Sequence, residues 1–174
     1  MGSVGRYSAA KDQLGFIQAA AEAIRKNPQI LVVFVGRELT KDNSALDLAV
    51  QSTGVAEHFL MLGERRDVAS CMSAIDIFCL HSQTEGFPNV LGEAMSVGLP
   101  CITTDVGDAR WILGSIGIVV QASDRLAMTE AILELAAEGQ DSWNARGLAG
   151  REKISNMFTL AKTVEKFEEI YLDR

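Results

Sequence analysis

A chain of 174 residues, 48% hydrophobic and 22% charged, is long enough to bury one sizeable core and is expected to form a single domain over 1–174. Lys and Arg number 16 against 23 Asp and Glu, so a net charge of −7 opposes nonspecific attraction to nucleic acid or anionic membrane, and any phosphate binding must be local. Cys71, Cys79 and Cys101 form no CxxC pair, no apolar run has the length of a membrane span, and Met1 to Arg6 lacks signal-peptide character, which together point to a reducing cytoplasm.

Short β-branched runs alternate with longer amphipathic stretches, the pattern of repeated β-α units around a parallel sheet. Ser3 to Gly5 reads as a clipped first strand, with Met1-Gly-Ser3 as a remnant on a domain excised from a longer chain. A helix follows over Asp12 to Asn27, where Leu14, Ile17, Ala21 and Ile24 recur at three-to-four spacing and define one packing face. Next come a strand at Ile30 to Val35, a helix at Asn43 to Thr53, a strand at His58 to Leu62, and a helix at Asp67 to Ser73 with Asp67 as its cap. The apolar run Ile75 to Leu80 is a buried strand, followed by a helix at Asn89 to Val97 and a strand at Pro100 to Thr104. A helix at Ala109 to Leu113, a strand at Gly117 to Val120 and a helix at Asp124 to Glu138 complete the alternation. Beyond Gly139 the pattern is helical, over Asp141 to Met157 and then, after a break at Phe158-Thr159, from a Thr159 cap to Leu172. The expected fold is a Rossmann-like three-layer α/β/α domain with a parallel sheet of about six strands and C-terminal helices.

The run from His81 to Met95 carries the most chemistry. Gly86 and Pro88 prevent one continuous helix through Glu85 and Glu93, so Glu85 belongs to a loop after the fourth strand and Glu93 to the helix beyond it. Asn89 is positioned to cap that helix, and Gly98 ends it. A helix start beyond a parallel strand presents free N–H groups and a partial positive charge, a site for a diphosphate. Carboxylates repel phosphate, so Glu85 and Glu93 are assigned to neutral hydroxyls on either side of it, a sugar and a ribose.

Ligands of open parallel sheets bind outside the carboxyl ends of the strands. Those positions here hold Gly5-Arg6 and Lys11, Gly36, Gly63-Glu-Arg-Arg66, Ser82 to Asn89, and Asp105-Val-Gly107. Arg6 and Lys11 can converge on a diphosphate from the side opposite the Asn89 helix start. Arg65 and Arg66 are either site or surface cations, Ser82 meets either a ligand or its local backbone, and Gly5, Gly36 and Gly63 each suit a turn with positive φ. His58 and His81 have no second ligand at a metal-binding spacing and read as packed or hydrogen-bonded residues. The cysteines read as small core residues, and Trp111 and Trp143 as packing residues rather than sugar platforms.

Gly5-Arg6 with Lys11, Leu62-Gly63 before Arg66-Asp67-Val68, Asp76-Ile-Phe with Ser82, Glu85-Gly-Phe-Pro88, Glu93-Ala-Met95, Gly98-Leu-Pro100 and Asp105-Val-Gly107 occur in order. This succession resembles the carboxyl-terminal half of GT-B glycosyltransferases of the family 4 type, over Val4 to Leu172. The resemblance implies a domain that binds a UDP-, GDP- or ADP-sugar and, with an N-terminal acceptor domain not present in the chain, transfers the glycosyl group with retention to a glycan or lipid-linked acceptor. It implies that Arg6 and Lys11 neutralise the diphosphate, Glu85 contacts donor-sugar hydroxyls and Glu93 holds the ribose. Backbone amides from Phe87 to Val90, in the segment Gly86, Phe87, Pro88, Asn89 and Val90, would cradle sugar and phosphate, with Ser82 nearby and Leu62 to Arg65, including Gly63, bordering the base. No obligatory metal or other cofactor is implied, and the complete enzyme would work in the cytoplasm or at the inner face of the membrane. Two positions depart from the family pattern: Asp12 stands where a Gly often follows the motif Lys, and Arg37-Glu38 occupy a segment that usually holds another Gly. A noncatalytic nucleotide-sugar sensor on the same fold is the alternative.

Overall fold

The computed structural model describes residues 1–172. Six parallel strands, β1 (Gly2–Val4), β2 (Val32–Val35), β3 (Phe59–Met61), β4 (Phe78–Leu80), β5 (Cys101–Thr104) and β6 (Ile118–Val120), form one sheet in the order β3-β2-β1-β4-β5-β6. Between them run α1 (Gln13–Lys26), α2 (Ser44–Gln51), α3 (Val68–Ser73), α4 (Asn89–Ser96) and α5 (Ala109–Leu113), followed by α6 (Arg125–Glu138), α7 (Gln140–Met157) and α8 (Leu160–Leu172).

The strands are buried on both faces, which is why their sequences are continuous apolar runs rather than alternating ones. From Ile77, just before β4, and along β4 itself the period of two still shows: Ile77 and Cys79 join one core cluster with α1, α2 and α6, while Phe78 and Leu80 join a second with α3, α4 and α5. The three-layer α/β/α fold follows from these two cores. Burial pushes the Cys79 thiol up to about 12 and the Cys101 thiol higher still, so both behave as small apolar side chains.

Several boundaries differ from expectation. The first strand lies one residue earlier, and Gly2 and Ser3 pair in register with Val33 and Phe34, so the Met1 segment is woven into the sheet rather than appended to it. Ile75 to Ile77 and Ile30 to Leu31 lie outside the strands. His58 sits in a 3-10 turn before β3, with Nδ1 2.9 Å from the Ile30 carbonyl. Of the expected α1 stripe Ile17, Ala21 and Ile24 are buried but Leu14 faces solvent; Phe16, Ala20 and Ala23 complete the buried face, whose Ala-rich surface packs closely on α6. Asp67 precedes α3 without capping it, since its carboxylate is held by Arg65. Thr159 does cap α8, accepting from the Lys162 N–H at 3.2 Å.

α8 contributes no buried residue, and Leu160, Val164, Phe167 and Tyr171 form an exposed stripe at helical spacing. Among the described residues no helix is long and apolar enough to cross a membrane.

Candidate functional site

The strand order reverses between β1 and β4, so the loops after these two strands diverge and leave a crevice at their carboxyl ends. Lys11 lies on the loop after β1 and Ser82 and Glu85 on the loop after β4, and the three meet there. The Lys11 ammonium is ion-paired with Glu85 Oε1, and the Ser82 hydroxyl donates to the same oxygen at 2.6 Å. Both partners of the ion pair are largely enclosed, with side-chain exposures of 23% and 13%.

Two cross-links fix this geometry. His81 Nδ1 donates to the Lys11 carbonyl at 2.5 Å, and Gln83 N–H donates to the Ala10 carbonyl at 2.8 Å. With Nδ1 committed as donor, Nε2 of neutral His81 accepts from the Ser3 hydroxyl at 2.7 Å, and the ring stacks on Phe16 with centroids 4.2 Å apart. Burial lowers the His81 pKa to about 4, so the ring is neutral at pH 7. The packed, hydrogen-bonded reading of His81 holds, but its task of anchoring Lys11 is not legible from spacing, because the two residues lie on different loops.

The loop after β5 supports Glu85 from behind. Asp108 N–H donates to the Gly86 carbonyl at 2.9 Å, and Thr104 Oγ1 donates to the Ser82 carbonyl at 2.7 Å. Gly107, at φ +50°, lies so close that a Cβ would stand 2.1 Å from the Gly86 oxygen and 2.5 Å from that of Glu85. Only glycine fits that approach. The Ser82 hydroxyl does not satisfy local backbone: it donates to the Glu85 carboxylate, while the Ser82 carbonyl accepts from Thr104.

Asp12 occupies a left-handed conformation at φ 51° and accepts from Gly15 N–H at 3.2 Å as the cap of α1. An Asp tolerates this conformation better than most residues, which explains how it stands where a glycine is usual. Its carboxylate is thereby used within the helix start. Glu38 is likewise left-handed, at φ 62°, in the second segment where a glycine is missing.

Other predicted residues lie apart from the Lys11 cluster or are already engaged. Arg6 is exposed and lines a cleft of about 290 Å³ with Gly5, Gly36, Arg37 and Arg65. Arg65 makes a two-pronged ion pair with Asp67, at 2.8 Å on each prong. Gly63 uses both backbone groups internally, accepting from Gly36 N–H at 2.8 Å and donating to the Leu39 carbonyl at 3.0 Å, so its N–H is not free for a base. Gly86, Phe87 and Asn89 are exposed, Pro88 is buried and Val90 half-buried. Pro88, not Asn89, holds the cap position of α4 and supplies no side-chain cap. Asn89 is the first helical residue, because its N–H already turns back to the Phe87 carbonyl at 3.0 Å. Pro88 has no N–H, and of the amides from Phe87 to Val90 those of Phe87 and Val90 have no acceptor among the described residues. Glu93 is an exposed residue of α4 with no ion pair among the described residues.

An aromatic group missed in the sequence borders the loop. The Phe87 and Phe158 rings have centroids 5.9 Å apart, and Trp111 meets Phe158 edge-on at 4.8 Å. Trp111 is therefore a packing residue, though half of it faces solvent. Trp143 donates from Nε1 to the Leu135 carbonyl at 2.7 Å.

A crevice at the reversal of a parallel sheet, with a lysine, a hydroxyl and a carboxylate converging in it, suits an anion joined to a hydroxyl-rich group. Residues 1–138 match the family model described as glycosyl transferases group 1. The chain belongs to this family. It is 30% identical, over 98% of its length, to the UDP-Gal:alpha-D-GlcNAc-diphosphoundecaprenol alpha-1,3-galactosyltransferase of Escherichia coli, covering 44% of that protein. It is 29% identical, over 90% of its length, to the N-acetyl-alpha-D-glucosaminyl L-malate synthase of Bacillus anthracis, covering 41% of that protein. The chain thus spans less than half the length of these relatives. Its fold matches Anabaena HepE in complex with UDP, with a TM-score of 0.87 at 22% identity over 99% of this chain and 48% of that one. It also matches the C-terminal domain of the glycosyl transferase group 1 family protein LpcC from Francisella tularensis, with a TM-score of 0.78 at 20% identity, covering 91% of this chain and 86% of that one. The architecture is that of the carboxyl-terminal domain of GT-B glycosyltransferases.

Proposed function

We propose that this group 1 family chain binds a nucleoside-diphosphate sugar and, with an acceptor-binding domain, transfers the glycosyl group with retention to a glycan or lipid-linked acceptor. The observation that carries the reading is the convergence of Lys11, Ser82 and Glu85 at the strand-order reversal. Lys11, aided by Arg6, neutralises the diphosphate as charge grows on the leaving group, so no obligatory metal is needed. Glu85 and Ser82 orient the sugar hydroxyls, the Phe87 and Val90 amides add donors, and Glu93 takes the ribose hydroxyls. UDP-sugars are the first candidates: one relative is named for UDP-Gal, and HepE has been seen with UDP and with UDP-glucose.

Catalysis needs both walls of a cleft to hold donor and acceptor together, and this chain supplies the donor wall. The test is calorimetric titration of the folded chain with UDP-, GDP- and ADP-glucose. Binding of at least one is expected at millimolar ligand or below; no heat from any of them overturns the reading.

A further inference from the structure

We propose that the Lys11–Glu85 ion pair is a latch that separates a nucleoside-diphosphate sugar from a bare nucleoside diphosphate, resting on the donor-site reading above. Glu85 Oε1 accepts from two donors, the Lys11 ammonium and the Ser82 hydroxyl. Lys11 is the group a diphosphate needs, yet its charge is spent on Glu85. An entering diphosphate therefore competes with a carboxylate for one cation, inside an enclosed crevice where like charges repel more strongly than in water.

The geometry lets Lys11 change partners without moving its backbone. Its carbonyl is anchored by His81, while its Cε passes 3.9 Å from the place where a Cβ on Gly5 would stand. The side chain thus passes beside Gly5 at the end of β1, and Gly5 lines the same cleft as Arg6. A four-carbon stem from a fixed pivot can turn the ammonium from Glu85 to a phosphate.

Opening the latch leaves Glu85 with the Ser82 hydroxyl and no cation. An enclosed carboxylate in that state is costly, and neutral hydroxyl donors relieve it. A sugar attached to the diphosphate brings those donors; a bare nucleoside diphosphate does not. The intact donor therefore opens the latch and stays. Once the sugar has left, Glu85 recaptures Lys11 and the spent nucleotide loses its main cation. Lys11 and Glu85 thereby couple phosphate neutralisation to sugar recognition and favour product release.

The experiment compares UDP and UDP-glucose binding by calorimetry at fixed ionic strength in the chain and in its Glu85→Gln, Lys11→Met and double variants, each verified as folded by circular dichroism. Glu85→Ala replaces Glu85→Gln should the latter fail to fold. Glu85→Gln is expected to tighten UDP about tenfold while drawing the two affinities towards each other, because the amide neither competes for Lys11 nor needs a sugar hydroxyl to relieve a charge. In the Lys11→Met background the same change is expected to alter UDP binding by less than about threefold. Unchanged or weaker UDP binding in folded Glu85→Gln overturns the latch while leaving the donor site standing. So does an equal gain in both backgrounds, which would be simple removal of a negative charge. Failure of the unaltered chain to bind UDP, GDP, ADP or their glucose conjugates overturns the donor site itself, and the latch with it.

Discussion

Gly107→Ala isolates the support behind Glu85. Its new Cβ would stand 2.1 Å from the Gly86 oxygen, against the 3.4 Å at which ordinary contact begins, so the Glu85–Gly86 backbone must retreat by about 1.3 Å. That retreat would stretch the 2.9 Å bond from Asp108 N–H as well. Left-handed backbone for alanine costs about 1 kcal/mol, and overpacking against a carbonyl adds about 1–3 kcal/mol. At roughly 2–4 °C per kcal/mol for a domain of this size, the melting temperature should fall by roughly 4–16 °C. A displacement of about 1 Å at the site should also weaken UDP-glucose binding by at least about tenfold. Gly86→Ala is the control on the facing side: its Cβ would meet nothing within 4 Å, so stability should stay within about 0.5 kcal/mol of the parent. Thermal melts by circular dichroism and calorimetry with UDP-glucose read both quantities. A Gly107→Ala chain that melts with the parent, or a Gly86→Ala chain that falls as far, would refute the buttress.

Lys11→Met should weaken UDP-glucose binding about 10- to 100-fold and, by leaving the enclosed Glu85 carboxylate without its cation, cost about 1–3 kcal/mol of stability; adding Glu85→Gln should restore the stability but not the binding, and a double variant that stays as unstable would make Lys11 structural. His81→Phe leaves the Lys11 carbonyl and the Ser3 hydroxyl without partners and should cost about 2–5 kcal/mol in urea unfolding. The same variant carries a pH signature. The folded-state pKa of His81, about 4, lies below its ordinary 6.5, so the unfolded chain takes the proton first and stability drains away as pH falls from 6.5 to 4. The slope is at most about 1.4 kcal/mol per pH unit, and His81→Phe should remove that component from urea melts across the range. Hydrogen bonds from Arg146 hold the Glu138 carboxyl below its ordinary range. Its stability is present above that range and lost as pH falls through the lowered value, so Arg146→Ala should flatten the acid limb of the same measurement.

The sequence made the three layers and every α-helix legible, because periodicity follows burial and each β-α unit pairs one strand with one helix, while the 3-10 turns at Ala9–Lys11 and Ala56–His58 are too short to show a period. Boundaries drifted where burial continues past the strand ladders, as at Ile75, Ile77 and Ile30, which are apolar and buried yet lie before the first paired residues of β4 and β2. Leu14 misled because helical spacing defines a stripe but not its centre, and the alanines turned α1 towards α6. In the site, Lys11, Ser82 and Glu85 were each visible at a strand end. Their mutual contact was not, since it depends on loops brought together by the sheet. The Asn89 cap failed for a local reason: Pro88 starts the turn, and the residue after it is already helical. His81 and Gly107 act through backbone contacts, which leave no mark in side-chain type.

The strand order has a further consequence, for folding kinetics. Lys11 and Glu85 stand 74 positions apart, and the loops that carry them become neighbours only when β1 inserts beside β4, joining the two halves of the sheet. Pairings of such long range are slow to form, since loop closure has to precede the contacts that reward it. A half-folded chain with β1 to β3 or β4 to β6 alone would hold one side of the crevice and none of the ion pair. Ligand affinity should therefore rise late and all at once during refolding, making nucleotide-sugar binding a reporter of the step that welds the two half-sheets together.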